Sequence, residues 1–322
     1  ITPSISISSA VEGLKIYYPQ LDVMIIVIVI LFILFSVQRF GTQIIGKSFG
    51  PIMLLWFLML GSLGLIGLFS NISILKAFNP YYAFKLLQIH NEGFYVLGFV
   101  FLCTTGAEAL YSDLGHCGVR NVRISWIFVK SMLVINYFGQ GAMMLNFEGK
   151  TLAHISGDSL NPANPFYMLM PEWFLPIGIV IATFAAIIAS QALITGSFSL
   201  ISEAIRLDIW PKITIHFPTS FKGQIYIPSI NWLLFTGCVF VMIHFQTSSN
   251  MEAAYGLAIV LCMLMTTILM TIYMRMNRYS NYWILLFLAV YMTIEISFFV
   301  ANLSKFSHGG YVSLFIAGII AF

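Results

Sequence analysis

The stretch "TTGAEALYSDLGHCG" (residues 104–118) places carboxylates at the end of an apolar run long enough to cross a lipid bilayer. An ionised side chain near the bilayer centre costs about 2.5 to 3.5 kcal/mol on insertion scales, so a carboxylate there usually faces a cavity or a partner. Thr104 and Thr105 shortly precede Glu108, which puts both hydroxyls and the carboxylate on one helix face. Hydroxyl, carbonyl and carboxylate oxygens can replace the hydration shell of a hard cation. The spacing therefore predicts a cation site that includes Glu108.

The same residues leave a structural alternative open. Gly106 lets a backbone or an ion approach closely, and it could mark a break in the helix. The threonine hydroxyls could instead bond to carbonyls of their own helix, with Glu108 a neutral packing residue. Asp113 lies close to the predicted inner interface, where a carboxylate is cheap, so it is either a second proton-coupling group or an interfacial residue.

Other polar residues inside apolar runs divide into two kinds. Lys130 is near enough to the inner interface for its ammonium to reach water, whereas Glu295, in "YMTIEISFF", lies deep and is a second ionisable candidate. The stretches "NYFGQGA" (136–142) and "ASQALITGSFS" (189–199) combine small residues with amides and hydroxyls. Such a combination is typical of helix-packing seams.

Residue patterns typical of catalysis or metal binding are absent from the sequence. The histidines are scattered, the four cysteines lie in or beside apolar runs without C-x-x-C spacing, and there is no glycine loop for phosphate. We therefore expect neither an enzyme nor a resident metal or other cofactor.

The composition indicates a membrane protein. Of the 322 residues, 59% are hydrophobic and 8% are charged, whereas soluble domains carry roughly 25% charged residues. So few charged groups cannot cover the surface of one large soluble core. The class predicted is all-α, a polytopic helical bundle forming a single transmembrane domain over residues 1–322.

Apolar runs of roughly 17 to 25 residues match a hydrocarbon core about 30 Å thick, because a helix rises about 1.5 Å per residue. The predicted spans are a partial one at 1–11, then 21–38, 51–70, 92–113, 124–145, 173–201, 229–245, 252–274 and 282–302, and a partial one from 311.

The basic residues give an orientation. Loops after alternate predicted helices hold all the arginines and three lysines: Arg39, Lys47, Arg120, Arg123, Arg206, Lys212, Lys222, Arg275 and Arg278. The opposite side holds Lys15, Lys76, Lys85, Lys150 and Lys305. The side richer in basic residues is expected to be cytoplasmic.

Eight stretches, in order along the chain, resemble the Kup/HAK/KT potassium uptake permeases of the amino acid, polyamine and organocation transporter superfamily. They are "ITPSISISSAVEGL", "QRFGTQ", "TTGAEALYSDLGHCG", "NYFGQGA", "NPFYMLMPEW", "IIASQALITGSFSLISEAIRL", "GQIYIPSINW" and "AAYGLAI". The resemblance implies a leucine-transporter-like inverted-repeat fold in the cell membrane (inner or plasma membrane), truncated at both ends in this chain. It also implies that residue 1 falls in the third of twelve helices and that two preceding helices and a cytoplasmic domain lie outside the chain.

The resemblance also implies site residues. The potassium ligands correspond to Thr2, Ser6, Thr105 and Glu108, and proton coupling to Glu108 and Asp113. Two departures stand outside this set: Cys117, where the family commonly has phenylalanine, and Glu252, where it has a small apolar residue.

The implied function is potassium uptake by K⁺/H⁺ symport with alternating access, with K⁺ and H⁺ as the transported ions. The alternatives are a channel-like potassium uniporter, an amino acid permease of the same superfamily and a purely structural membrane subunit. A potassium channel would need a "TVGYG"-like filter, which this sequence lacks. Partners expected are the potassium ion and the lipid bilayer, with a homodimer left open and no nucleic acid.

Overall fold

A computed structural model describes residues 1–40, 43–89, 93–106, 119–156, 163–218 and 225–321. Within these ranges the chain is almost entirely helical and contains no strand beyond an isolated antiparallel bridge between His216 and Tyr226. The predicted all-α class is therefore confirmed.

The α-helices are α1 (Thr2–Val11), α2 (Val23–Val37), α3 (Gln43–Ser70), α4 (Pro80–Ile89), α5 (Gly93–Val100), α6 (Val119–Leu145), α7 (Leu152–Ser156), α8 (Pro165–Met168), α9 (Leu175–Arg206), α10 (Pro228–Phe245), α11 (Ser248–Met276), α12 (Asn281–Leu303) and α13 (Gly310–Ala321). Short 3-10 helices occur at Glu12–Ile16, Gln38–Phe40, Ile72–Phe78, Phe101–Thr104 and Phe306–His308.

Within the described residues, six helices are long and apolar enough to cross a membrane. They are Val23–Phe40, Ser48–Ser70, Leu175–Arg206, Pro228–Phe245, Ser248–Met276 and Asn281–Leu303. Gly93–Cys103 and Gly310–Ile319 are shorter apolar helices. Helix α6 has the length but is not among the six, because polar side chains lower its hydropathy. The chain is thus a multi-pass membrane protein.

The contacts divide the chain into two compact units. The larger unit comprises Thr2–Asn79 and Tyr111–Gln246, and the smaller unit comprises Pro80–Leu110 and Thr247–Phe322 together with Ile1.

In the larger unit, α3 and α6 approach at a seam of glycines. A Cβ built on Gly139 would lie 2.6 Å from the Gly64 Cα, and one built on Gly64 would lie 2.6 Å from the Asn136 Cα. The buried Asn136 donates from Nδ2 to the Leu60 carbonyl at 3.0 Å, and its Oδ1 accepts from Gln140 at 2.6 Å. The stretch 136–142 is therefore a packing seam, as its composition predicts.

A second seam joins the inner end of α2 to α9 and α10. The buried amides of Gln38 and Gln191 bond to each other reciprocally at 2.5 and 2.8 Å. The Asn231 Nδ2 donates to the Phe35 carbonyl at 3.1 Å. Reciprocal amide pairs are effective inside a membrane protein because each amide both donates and accepts a hydrogen bond away from water.

In the smaller unit, α5 and the 3-10 turn that follows it pack on α11 and α12. Phe101 is 1% exposed and its ring centroid lies 5.1 Å from that of Phe298. Gly98 packs against the same surface, since a Cβ there would make ordinary van der Waals contact with the Ala301 carbonyl oxygen at 3.4 Å. The middle of the segment 93–106 is thus fixed by two long helices.

Replacing Gly139 by alanine is expected to destabilise the protein by about 1 to 3 kcal/mol, because the added methyl group must push the α3 and α6 backbones apart. Gly237→Ala is the matched control: Gly237 lies inside α10 with no described atom within 4 Å of its built Cβ. Thermal unfolding of the detergent-solubilised full-length protein checks this. Equal melting temperatures for the two variants would show that the seam tolerates a side chain.

Candidate functional site

The hydroxyls on α1 fall into two groups. Ser4 donates to the Cys238 carbonyl at 3.0 Å and Ser8 to the Glu12 carboxylate at 3.2 Å, and both serines are fully buried. Thr2 and Ser6 are half-buried, and among the described residues their hydroxyls form no hydrogen bond. Two oxygens one helical turn apart thus remain available to a ligand.

Two further polar residues on or beside α1 were not singled out from the sequence. Ser9 follows Thr2 by two helical turns on the same face and is exposed. Its signal was the seven-residue spacing from Thr2. Glu12 is a half-buried carboxylate beyond the C-terminus of α1, and its signal was the four-residue spacing from Ser8.

Tyr167 in the short helix α8 holds the end of α1. Its hydroxyl donates to the Ala10 carbonyl at 2.8 Å, and its ring lies where a Cβ on Gly13 would be, 2.6 Å from the Cζ atom. Burial raises the pKa of the Tyr167 phenol, and the Glu12 carboxylate raises it further, so the hydroxyl stays a donor. Helix α8 therefore fixes the position of α1, the helix that carries Thr2 and Ser6.

The predicted helix break occurs at Thr105 and Gly106. The 3-10 turn ends at Thr104, Thr105 is extended with φ −77° and ψ 171°, and Gly106 has φ +114°, a conformation that favours glycine. The Thr105 hydroxyl donates to the Leu102 carbonyl at 2.9 Å and keeps its lone pairs for another partner. A helix C-terminus carries partial negative charge and free carbonyl oxygens, which suits a cation.

A charged cluster borders the helix that leads to this break. The Lys305 ammonium lies 3.3 Å from the centroid of the Phe99 ring, and its Nζ is buried without a hydrogen-bond partner among the described residues. Burial lowers the pKa of Lys305, and the Glu252 carboxylate opposes that shift. Glu252, noted as a departure from the family pattern, thus supplies negative charge near a buried ammonium.

Glu295 is buried between α11 and α12, at 4% exposure. Its Oε1 accepts a hydrogen bond from Thr267 at 2.7 Å, and among the described residues its Oε2 has no partner. The carboxyl group joins the two helices, and this contact belongs to the smaller unit. Lys130, by contrast, lies over the Trp126 ring at 4.8 Å.

Glu108 and Asp113 lie outside the described residues. Of the four predicted potassium ligands, the structure describes Thr2 and Ser6 in the larger unit and Thr105 in the smaller one. The roles assigned to all of these residues stay predictions.

Tyr167→Phe is expected to lower the free energy of unfolding by about 1 to 2 kcal/mol, because the buried Ala10 carbonyl loses its side-chain donor. Tyr18→Phe removes the same hydroxyl from an exposed loop position and should leave stability unchanged. The two melting temperatures, measured side by side, check the anchor. A Tyr167→Phe protein as stable as Tyr18→Phe would mean that packing alone holds α1.

Comparison with known proteins assigns the whole chain to one family. Residues 1–322 match the K+ potassium transporter integral membrane domain. The probable potassium transport system protein Kup of Flavobacterium psychrophilum is 61% identical over 322 residues, covering 100% of this chain and 49% of the relative. The corresponding protein of Cytophaga hutchinsonii is 56% identical over 328 residues, covering 100% and 49%. The putative potassium transport system protein Kup 1 of Lactococcus lactis subsp. cremoris is 47% identical over 333 residues, covering 100% and 48%.

The chain spans about half the length of these curated relatives. No solved structure matches it. The match over every residue, together with the apolar helices, leads to one conclusion: the chain belongs to the Kup/HAK/KT family of potassium transporters and forms a multi-pass part of its integral membrane domain.

Proposed function

We propose that the protein containing this chain takes up potassium across the cell membrane by K⁺/H⁺ symport with alternating access. The family and the names of the relatives support potassium as the transported ion and transport rather than catalysis. One helix bundle would rock against another around a fixed ion site.

The observation that carries the proposal is the interruption of the apolar segment at Thr105 and Gly106. The break comes about a dozen residues after the start of α5, which corresponds to roughly 18 Å of helix or a little more than half the hydrocarbon core. Unwound backbone at that depth is tolerated where it lines a cavity or binds an ion. Its backbone carbonyls and the Thr105 hydroxyl are oxygen ligands of the kind that replaces water around potassium.

The hydroxyls of Thr2 and Ser6 support the same proposal from the larger unit. Neighbouring serines on α1 are engaged in hydrogen bonds, whereas these two have no such partner in the described part of the chain. An unengaged hydroxyl is costly inside a membrane unless a ligand or water uses it. We assign both oxygens to the potassium ligand set together with Thr105 and Glu108.

Proton coupling follows from the energy that uptake requires. Moving one charge inward releases about 2.3 kcal/mol per 100 mV, which supports a concentration ratio of roughly fifty. Two charges release about 4.6 kcal/mol and support a ratio of a couple of thousand. Symport therefore suits uptake from dilute surroundings. Glu108 is the proposed proton carrier and Asp113 a second coupling group.

Thr2→Val and Ser6→Ala are each expected to raise the half-saturating potassium concentration about tenfold, because each removes one oxygen ligand from a cation. The matched control is Thr236→Val. Thr236 is an exposed residue in α10 whose hydroxyl bonds to the Trp232 carbonyl of its own helix at 2.9 Å. Rubidium uptake into liposomes containing full-length protein measures the effect. Affinities that match the Thr236→Val control would remove both residues from the ligand set.

Glu108→Gln in the full-length protein is expected to abolish the stimulation of rubidium uptake by an inward proton gradient, because an amide cannot carry the proton. The control is Glu203→Gln, which removes an exposed carboxylate paired with Arg206 at 2.8 Å. Uptake by Glu108→Gln with the same rate and pH dependence as the control would exclude Glu108 as the carrier. Wild-type flux at channel rates without gradient dependence would favour a uniporter instead.

A further inference from the structure

The helical hairpin of α11 and α12 carries an apolar groove on its surface. The groove encloses about 530 Å³ and is lined by side chains that include Met274, Tyr279, Trp283, Phe287 and Tyr291. Tyr279, Trp283 and Tyr291 are about half exposed. Both helices are long and apolar enough to span a membrane, so lipid chains are the expected neighbours of these exposed aromatic rings.

The groove is a little shorter than one leaflet is deep. Trp283 and Tyr291 are eight residues apart on α12, which corresponds to about 12 Å along the helix. One leaflet of a hydrocarbon core about 30 Å thick is about 15 Å deep. Tyr279 and Trp283 lie at the end where the hairpin turns, and amphipathic aromatic rings are typical of headgroup depth. A single acyl chain of the nearer leaflet therefore fits along it.

The turn at that end carries two arginines in a fixed backbone. The Arg278 N–H donates to the Arg275 carbonyl and the Tyr279 N–H to the Met274 carbonyl, both at 3.1 Å. Arg278 has φ +57°, and the Asn277 side chain donates to the Tyr273 carbonyl at 3.0 Å. Arg275 follows Met274 and Arg278 precedes Tyr279, and both of these neighbours line the groove. The two arginines are therefore within side-chain reach of the end of the groove where the hairpin turns.

Acidic side chains are missing around these two arginines in the sequence. It contains no aspartate or glutamate between Glu252 and Glu295, and among the described residues neither guanidinium forms an ion pair. Arg206, on the same predicted side of the membrane, differs because it pairs with Glu203. Arginine forks bind phosphate oxygens in two-point contacts, and basic pockets between cytoplasmic helix ends suit anionic headgroups.

We propose that this groove binds one anionic phospholipid of the cytoplasmic leaflet. Its phosphate lies at Arg275 and Arg278, and one acyl chain lies along the aromatic wall. Such a lipid site is independent of the transported ion and of the coupling mechanism.

The test uses full-length protein in phosphatidylcholine vesicles that contain a small fraction of phosphatidylglycerol. The phosphatidylglycerol carries brominated chains, and bromine quenches the fluorescence of nearby tryptophans. The contribution of Trp283 is the difference in fluorescence between the wild-type protein and the Trp283→Phe variant. Brominated phosphatidylglycerol is expected to quench it well beyond its mole fraction, whereas brominated phosphatidylcholine quenches in proportion. Arg275→Gln with Arg278→Gln should reduce the preference about thirtyfold.

Two control variants make the result decisive. Arg120→Gln with Arg123→Gln removes two exposed arginines on the same predicted side, at the start of α6, and should change the preference less than twofold. Arg275→Lys with Arg278→Lys keeps the charge and should retain most of the preference. Equal losses in the two glutamine pairs, quenching in proportion to mole fraction for both lipids, or displacement by inorganic phosphate at constant ionic strength would overturn the proposal.

Discussion

A helix that ends within a membrane needs partners for its last carbonyl oxygens, and this constraint applies where the apolar segment 93–106 unwinds. The segment 93–106 runs as helix and 3-10 turn and then unwinds at Thr105 and Gly106. The smaller unit holds that end in place through Phe101 against Phe298 and through the Lys305 ammonium over Phe99. These contacts hold the end of the helix in one position.

Several polar side chains elsewhere in the apolar helices form hydrogen bonds between helices. Gln38 bonds to Gln191, Asn136 to the Leu60 carbonyl and Ser4 to the Cys238 carbonyl, and each pair joins two helices. Against that background, the hydroxyls of Thr2 and Ser6 stand out, because they are unengaged within the described ranges. The lack of a hydrogen-bond partner in the described part of the chain, and not the kind of side chain, distinguishes Thr2 and Ser6 from Ser4 and Ser8.

Much of the helical organisation was predictable from the sequence, because apolar length and composition act locally. Gly106 indicated the break, and the small and amide residues at 136–142 indicated a seam. The predicted boundaries were less accurate. Helix α3 begins at Gln43 and contains Pro51, which the prediction placed at its start, and α6 begins at Val119 rather than at 124. Proline is tolerated inside a membrane helix where neighbouring groups satisfy the freed carbonyl, and arginine at a helix end can extend its guanidinium to water.

The tertiary partners could not be predicted. Nothing local connects Tyr167 to the Ala10 carbonyl, Glu252 to Lys305 or Thr267 to Glu295, because each interaction depends on how distant helices pack. The 3-10 turn at Ile72–Phe78 and the helix α4 were also not predicted. Their apolar side chains are exposed, and neither element is part of an apolar run long enough to cross a membrane.

If oxygen atoms of this chain hold dehydrated potassium at the interrupted helix, a heavier ion of similar size must occupy the same place. The position of rubidium or thallium in an experimental structure of the full-length protein, located by anomalous scattering, decides this. We predict ion density within coordination distance of the Thr105 hydroxyl or the adjacent backbone carbonyls, with Glu108 facing it. Ion density confined to a different part of the protein, with Glu108 turned to lipid, would contradict that assignment.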